Sequence, residues 1–206
     1  MTVIVINGMP GSGKTTIAFT LASMLGIEQV VQTDVIKEIL KINNYPEISY
    51  CPSHKAWEFF GIRNAKNIIS GFEMHCRFFE NYLLSISKIA EEKGKTIIIE
   101  GVQAIPNFFK KLKCKKIGFY LYLNDEKEHI RRFKLKNKKR VIKNNGWFEN
   151  FEIIRLLDSY MVSLASEAGM QVIDNSNFFR TINEIVKNLN DGILKNEIQR
   201  LRLCIR

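Results

Sequence analysis

Cysteine, proline, tryptophan and histidine are scarce in this 206-residue chain, and basic residues outnumber acidic ones. The four cysteines, Cys51, Cys76, Cys114 and Cys204, stand far apart with no C-x-x-C pair. That excludes a zinc ribbon and a thioredoxin-type site and fits the reduced thiols of a cytoplasmic protein. Three histidines, His54, His75 and His129, show no metal-ligand spacing, so zinc chemistry is not expected. Only four prolines, no low-complexity stretch and no internal repeat leave no linker, and a single domain over residues 1–206 is expected. No apolar run approaches the roughly 18 residues of a membrane span, and Met1 to Asn7 contains no basic leader. A cytoplasmic chain with no membrane partner is the expectation. Lys and Arg total 31 against 21 Asp and Glu, a formal charge of +10, which favours nucleotides, phosphorylated metabolites or RNA as partners.

What is present is an alternation of short Ile- and Val-rich runs with longer amphipathic stretches, the pattern of a parallel sheet covered by helices. Strands are expected at Thr2 to Asn7, Glu28 to Gln32, Lys95 to Glu100, Ile117 to Leu123 and Gln171 to Asp174. Helical spacing covers Lys14 to Leu25, Val35 to Leu40, His54 to Ser70, Glu73 to Glu92, Glu126 to Lys138 and Phe148 to Ala168. Two stretches depart from strict alternation. Residues of about 41–92, with two helices between strands, read as the substrate-binding region, and the strongly basic stretch of about 131–146 reads as a lid. A last helix is expected from Asp191 to Arg206.

Gly8-Met9-Pro10-Gly11-Ser12-Gly13-Lys14-Thr15 fits G-x-x-x-x-G-K-[ST] between an apolar strand and a helix. The glycines let the backbone curl so that N–H groups from Gly8, Gly11, Ser12, Gly13 and on to Thr16 face phosphate oxygens, and the following helix adds the positive end of its dipole. Lys14 is placed to bridge the β- and γ-phosphates, and the Thr15 hydroxyl to bind Mg²⁺.

Two carboxylates accompany the loop. Asp34 is read as ending the second strand and Glu100 as ending the third. In open α/β sheets, ligands bind beyond the carboxyl ends of the strands. If the strands are ordered 2-3-1-4-5, roughly 4.8 Å apart, Glu100 lies beside the loop and Asp34 one strand further out. Glu100 is therefore the candidate for Mg²⁺, through water, and Asp34 the candidate base for an acceptor hydroxyl. The plain alternatives are a solvated strand end for Glu100 and a helix N-cap for Asp34.

From Arg131 through Lys143 there are eight basic residues in thirteen and no acid. A solvated helix face accounts for most of the lysines. The arginines suit a lid that neutralises charge between the phosphates of ATP and excludes water, with Arg132 and Arg140 as first choices and Arg131 behind them. The same run suits an RNA backbone. His54 and Lys55 begin a helix beside Pro52, where they either meet an anionic substrate or merely cap and pack.

Together these residues resemble the 2-phosphoglycerate kinase group of P-loop kinases, which is related in fold to zeta-toxin and small nucleoside kinases. The matching stretches are Gly8 to Thr15, Thr33 to Leu40, Lys55-Ala56-Trp57, Gly71-Phe72, Ile99 to Gln103 with Pro106, His129 with Arg132-Phe133, Ile154-Arg155 and Val172 to Asn175. The resemblance implies an α/β, three-layer P-loop NTPase fold with a five-stranded parallel sheet of order 2-3-1-4-5 and a helical basic lid. It implies ATP with Mg²⁺ as donor and a small hydroxyl compound, 2-phosphoglycerate-like, as acceptor. Acceptor contacts are expected from Lys37, His54, Lys55, Arg63 and Gln103, and Asn175, after the fifth strand, is placed to help hold adenine. Two positions depart from the pattern: Asp-x-Ile-Arg ends here in Lys37, and Glu-Gly-Val-His ends in Gln103. Lysine lacks the bidentate fork of arginine, which implies a changed acceptor. Rival readings are a nucleoside, nucleotide-sugar or polynucleotide 5′-hydroxyl acceptor, or a non-catalytic, nucleotide-responsive RNA-binding module.

Overall fold

The run Val3-Ile4-Val5-Ile6 has no polar side chain to turn toward water, so a strand made of it needs cover on both faces. In the computed structural model, which describes residues 1–138 and 146–192, it has that cover. Strand β1 (Val3–Asn7) is the centre of a five-stranded parallel sheet with β2 (Gln29–Gln32), β3 (Ile97–Glu100), β4 (Lys116–Tyr122) and β5 (Gln171–Asp174), in the order β2-β3-β1-β4-β5. Alternate side chains feed two cores. Val3, Val5, Ile97 and Ile99 pack toward α3 (Ala65–Glu92), α4 (Pro106–Lys111) and α6 (Phe151–Glu167). Ile4, Ile6, Ile98, Phe119 and Leu121 pack toward α1 (Lys14–Leu25) and α7 (Phe178–Gly192). The expected three-layer α/β architecture and strand order are therefore found.

Register places the chemistry. Glu100 pairs with Ile6 on one side and Gln32 on the other, so the end of β3 lies between the start of the glycine loop and the start of α2 (Thr33–Ile42). Helix α5 (Glu126–Lys138) leaves the same edge after β4. Among the described residues no helix is long and apolar enough to cross a membrane.

The region between β2 and β3 differs from the predicted pair of helices over 54–70 and 73–92. Short 3-10 turns occupy Glu47–Ser49 and Ser53–Phe60, and α3 then runs unbroken for 28 residues. Its start is set by Asn64, whose side chain accepts from the Asn67 N–H at 2.8 Å. Gly71, between the two predicted helices, lies within α3, and the 3-10 turn crosses there: a Cβ would sit 2.6 Å from the Ala56 backbone. The short α4 and the amphipathic α7 were not expected. The predicted tail helix lies outside the described residues from 193 onward, as does the part of the predicted lid over 139–145, Arg140 included.

Candidate active site

No side chain caps the N-terminus of α1, so the N–H groups of its first turn remain available to an anion. The loop in front of it is braced from α5 and from the residues after β5. His129 donates from Nε2 to the Pro10 carbonyl at 2.6 Å, Asn175 donates from Nδ2 to the Ser12 carbonyl at 2.7 Å, and Arg132 donates to the Asn175 carbonyl at 2.6 Å. The fit leaves no slack, since a Cβ on Gly11 would lie 2.5 Å from Phe133 and 2.8 Å from the His129 ring. Because His129 Nε2 carries the proton and Nδ1 is buried without a partner, the ring is neutral, and burial lowers its pKa accordingly.

Beside the loop, Glu100 is only 3% exposed, which removes the solvated-end alternative. Its Oε1 accepts from Thr15 Oγ1 at 3.0 Å and from Gln32 Nε2 at 2.9 Å, while Oε2 is buried with no partner. A buried carboxylate oxygen lacking a donor is a place for a cation, and the Thr15 hydroxyl with Glu100 forms the hard oxygen set that Mg²⁺ prefers. Burial lowers the Lys14 ammonium from its ordinary value, with Glu100 and Asp34 pulling it back up.

Two clefts open on this edge. One, of about 550 Å³, follows the loop past Thr15, Thr16, Arg132, Asn175 and Phe178. The other, of about 610 Å³, is bounded by Lys37, residues 50–55, Gln103, Trp147 and Asn150. Lys14, Asp34 and Lys136 line both. Asp34 stands in the first turn of α2, but Gln32 is the N-cap residue and makes no side-chain capping bond. The Asp34 carboxylate instead accepts from Lys37 Nζ at 3.2 Å and remains 78% exposed in the cleft. Its surroundings would raise its pKa by desolvation, yet Lys37 and then Lys14 outweigh that and hold it below its ordinary value. Lys136 Nζ sits 5.0 Å over the Trp147 ring, a cation–π contact that seats the ammonium between the clefts.

A family model described as an AAA domain matches residues 4–156. The chain belongs to that AAA-domain family. It is 30% identical over 191 residues to the 2-phosphoglycerate kinase of Methanocaldococcus jannaschii, covering 88% of this chain and 61% of that one. To the 2-phosphoglycerate kinase of Methanococcus maripaludis strain C5 it is 30% identical over 210 residues, covering 92% and 66%. The chain thus spans 61–66% of the length of these curated relatives. A solved shikimate kinase from Acinetobacter baumannii shares the fold, with a TM-score of 0.53 at 19% identity over 93% of this chain and 94% of that one. The likeness to 2-phosphoglycerate kinases expected from the motifs is found.

On this AAA-domain frame the structure gathers most of the expected residues. Gly11, Gly13, Lys14, Thr15, Thr16, Arg132 and Asn175 line the loop cleft, and Lys37, His54, Lys55 and Gln103 line the other. Gly8 and Ser12, within the loop itself, are buried. Arg63 lines neither cleft and is paired with Glu152 at 2.9 Å on the surface. Arg132 is committed to Glu128, Ser12 and Asn175, so it braces the loop. Lys136 was not singled out from the basic run, although it lies four residues after Arg132 and so on the same helix face. Asn7 was also missed: its amide donates to the Gly101 and Val102 carbonyls at 3.0 and 3.1 Å and ties the end of β1 to the chain leaving Glu100.

Proposed function

We propose that this AAA-domain protein is an ATP-dependent kinase that transfers the γ-phosphoryl group to a hydroxyl of a small, anionic, 2-phosphoglycerate-like acceptor. The observation that carries this reading is the wall of Lys14, Asp34 and Lys136 common to the two clefts. A phosphoryl group passing in line from donor to acceptor meets those three groups on its way. The loop N–H groups and Lys14 hold the donor phosphates, and Thr15 and Glu100 hold Mg²⁺, which when bound neutralises charge on the phosphate oxygens. Asp34 orients the acceptor hydroxyl and takes its proton as the new O–P bond forms and the bond to the β-phosphate oxygen breaks, releasing ADP. A carboxylate of lowered pKa is a weak base. That suits a loose transition state in which the proton leaves late and positioning matters most.

Lys136 is the cation facing the transferring group, a role that the commitments of Arg132 leave open. Lys37, His54 and Lys55 give the acceptor cleft the character that suits an anion, with Lys37 offering a point charge in place of a fork. A cytoplasmic location belongs to the same reading. The test offers the purified chain γ-labelled ATP and Mg²⁺ with 2-phosphoglycerate, pooled hydroxyl metabolites, nucleosides and 5′-hydroxyl oligonucleotides, with Asp34→Asn as control. Label is expected on 2-phosphoglycerate and lost with the control. Label on oligonucleotides alone would replace the acceptor, and no label in any pool would leave the RNA-binding module as the better account.

A further inference from the structure

Helix α3 carries a buried histidine behind the acceptor cleft, His75, that the chemistry above does not use. Its Nδ1 lies 2.7 Å from the Ile48 carbonyl oxygen and its Nε2 lies 3.0 Å from Gln103 Nε2. A carbonyl oxygen only accepts, so Nδ1 must carry the proton. Burial pushes the His75 pKa down to about 4, so at neutral pH the ring is uncharged and Nε2 is an acceptor. The group of Gln103 that faces it is therefore the NH₂. The other end of the amide agrees, with Oε1 accepting from Thr33 Oγ1 at 2.5 Å. The orientation of the amide is thus set by the Ile48 carbonyl, acting through one imidazole.

Gln103 lines the acceptor cleft. With Oε1 engaged by Thr33 and one N–H by His75, the donor it retains is its second N–H. Thr33 also begins α2, which carries Asp34 and Lys37, so the relay joins the cleft wall to the helix of the candidate base.

We propose that His75 and Thr33 are positioning residues that lock the Gln103 amide so that its second N–H is donated to an oxygen of the acceptor, making Gln103 a specificity-determining contact for an oxyanion. This rests on the phosphotransferase reading. If the amide rotated, its carbonyl oxygen would replace that donor and repel an anionic acceptor, and the Thr33 hydroxyl would lose its own acceptor.

Removing the lock in His75→Leu is expected to raise the Michaelis constant for 2-phosphoglycerate about tenfold, the size of one hydrogen bond, and to leave that for ATP within about twofold. Because His75→Leu risks the fold, His75→Asn is made beside it. Its amide nitrogen can still serve Ile48 but its side chain is too short for Gln103, and it is expected to show the same split. Gln103→Leu is expected to match these, and the double variant to be no worse than Gln103→Leu, because the effect passes through the amide. Nitrogen-15 NMR of the imidazole in the full chain is expected to show Nδ1 protonated, with the Nε2 resonance moving in Gln103→Leu. An Nε2-protonated ring would overturn the relay. So would histidine variants that lose thermal stability but keep both Michaelis constants. If the wild-type chain labels no acceptor at all, the phosphotransferase reading is what has failed, and the tautomer measurement still decides the relay.

Discussion

The two clefts differ in how the chain builds them. The phosphate loop that anchors the donor cleft comes from consecutive residues, 8–16, held by buried groups: His129 on Pro10, Asn175 on Ser12, and Phe133 against Gly11. The acceptor wall is assembled from six separate stretches, around residues 10–14, 34–38, 50–55, 102–103, 136 and 146–150. It is polar and rich in lysine. A phosphate tail is the same in every nucleotide, so one rigid turn serves it, whereas an acceptor is recognised by groups that can change one at a time without disturbing the loop.

The sharpest way to break this comparison is at the shared wall. Asp34→Asn keeps the shape and removes the base, and kcat is expected to fall by roughly 10²–10⁴ while the Michaelis constant for ATP stays within about twofold. Steady-state transfer of labelled phosphate reads both. If the Michaelis constant for ATP rose as well, Asp34 would belong to the donor side and the division between the clefts would not hold. Next in size is the brace. Gly11→Ala places a Cβ 2.5 Å from Phe133 at a φ of +86°, where the aromatic rings and the backbone both resist. A loss of about 1–3 kcal/mol in urea unfolding is expected, together with weaker ATP binding by calorimetry. Unchanged stability would mean that α5 lifts off the loop freely.

This contrast also explains how far the site was legible in the sequence. The glycine loop, the strands and Glu100 could be read because a fixed spacing and runs of buried Ile and Val carry them, whereas the sheet order came from the family resemblance. His54 and Lys55 were found at a helix start beside Pro52 and Gln103 through the family pattern, and the structure does place them in one cleft. Arg63 was assigned to the acceptor and placed inside a predicted helix over 54–70, but the break at residues 61–64 ahead of α3 turns it to the surface. His75 gave no signal, since a histidine on the apolar side of a long helix looks like core until Ile48 and Gln103 are known to meet it. Contacts between residues 27 or 28 positions apart are not written in local periodicity.

The acceptor side can be tested more gently at Lys37, the largest counterweight to the desolvation of Asp34. The ionised carboxylate is the working form, so activity is present above its pKa and lost as pH falls through it. With that pKa held below the ordinary aspartate value, the wild-type rate should be flat from neutral down to about pH 5. Lys37→Met is expected to move the acid limb of kcat/KM upward and, by removing a partly screened charged contact, to raise the acceptor Michaelis constant about tenfold. The stability sign runs the same way: the ionised Asp34 favours the folded state above its unfolded value of about 3.9, and this is lost in more acidic solution. An acid limb that stays in place would show that Lys14 and Lys136 hold the carboxylate without Lys37.

The smallest effect is expected at Arg63, and it separates the sequence pattern from the geometry. If the acceptor were gripped by every cation between β2 and β3, Arg63→Ala would raise its Michaelis constant as Lys37→Met does. The structure instead pairs Arg63 with Glu152, at side-chain exposures of 48% and 87%, outside both clefts. An exposed pair of this kind contributes about 0–1 kcal/mol. Arg63→Ala should therefore leave both Michaelis constants within about twofold, since about 0.4 kcal/mol is all that such a ratio requires. A tenfold rise confined to the acceptor would mean that residues 61–64 fold inward once the acceptor is bound, and that the acceptor wall is completed by its own ligand.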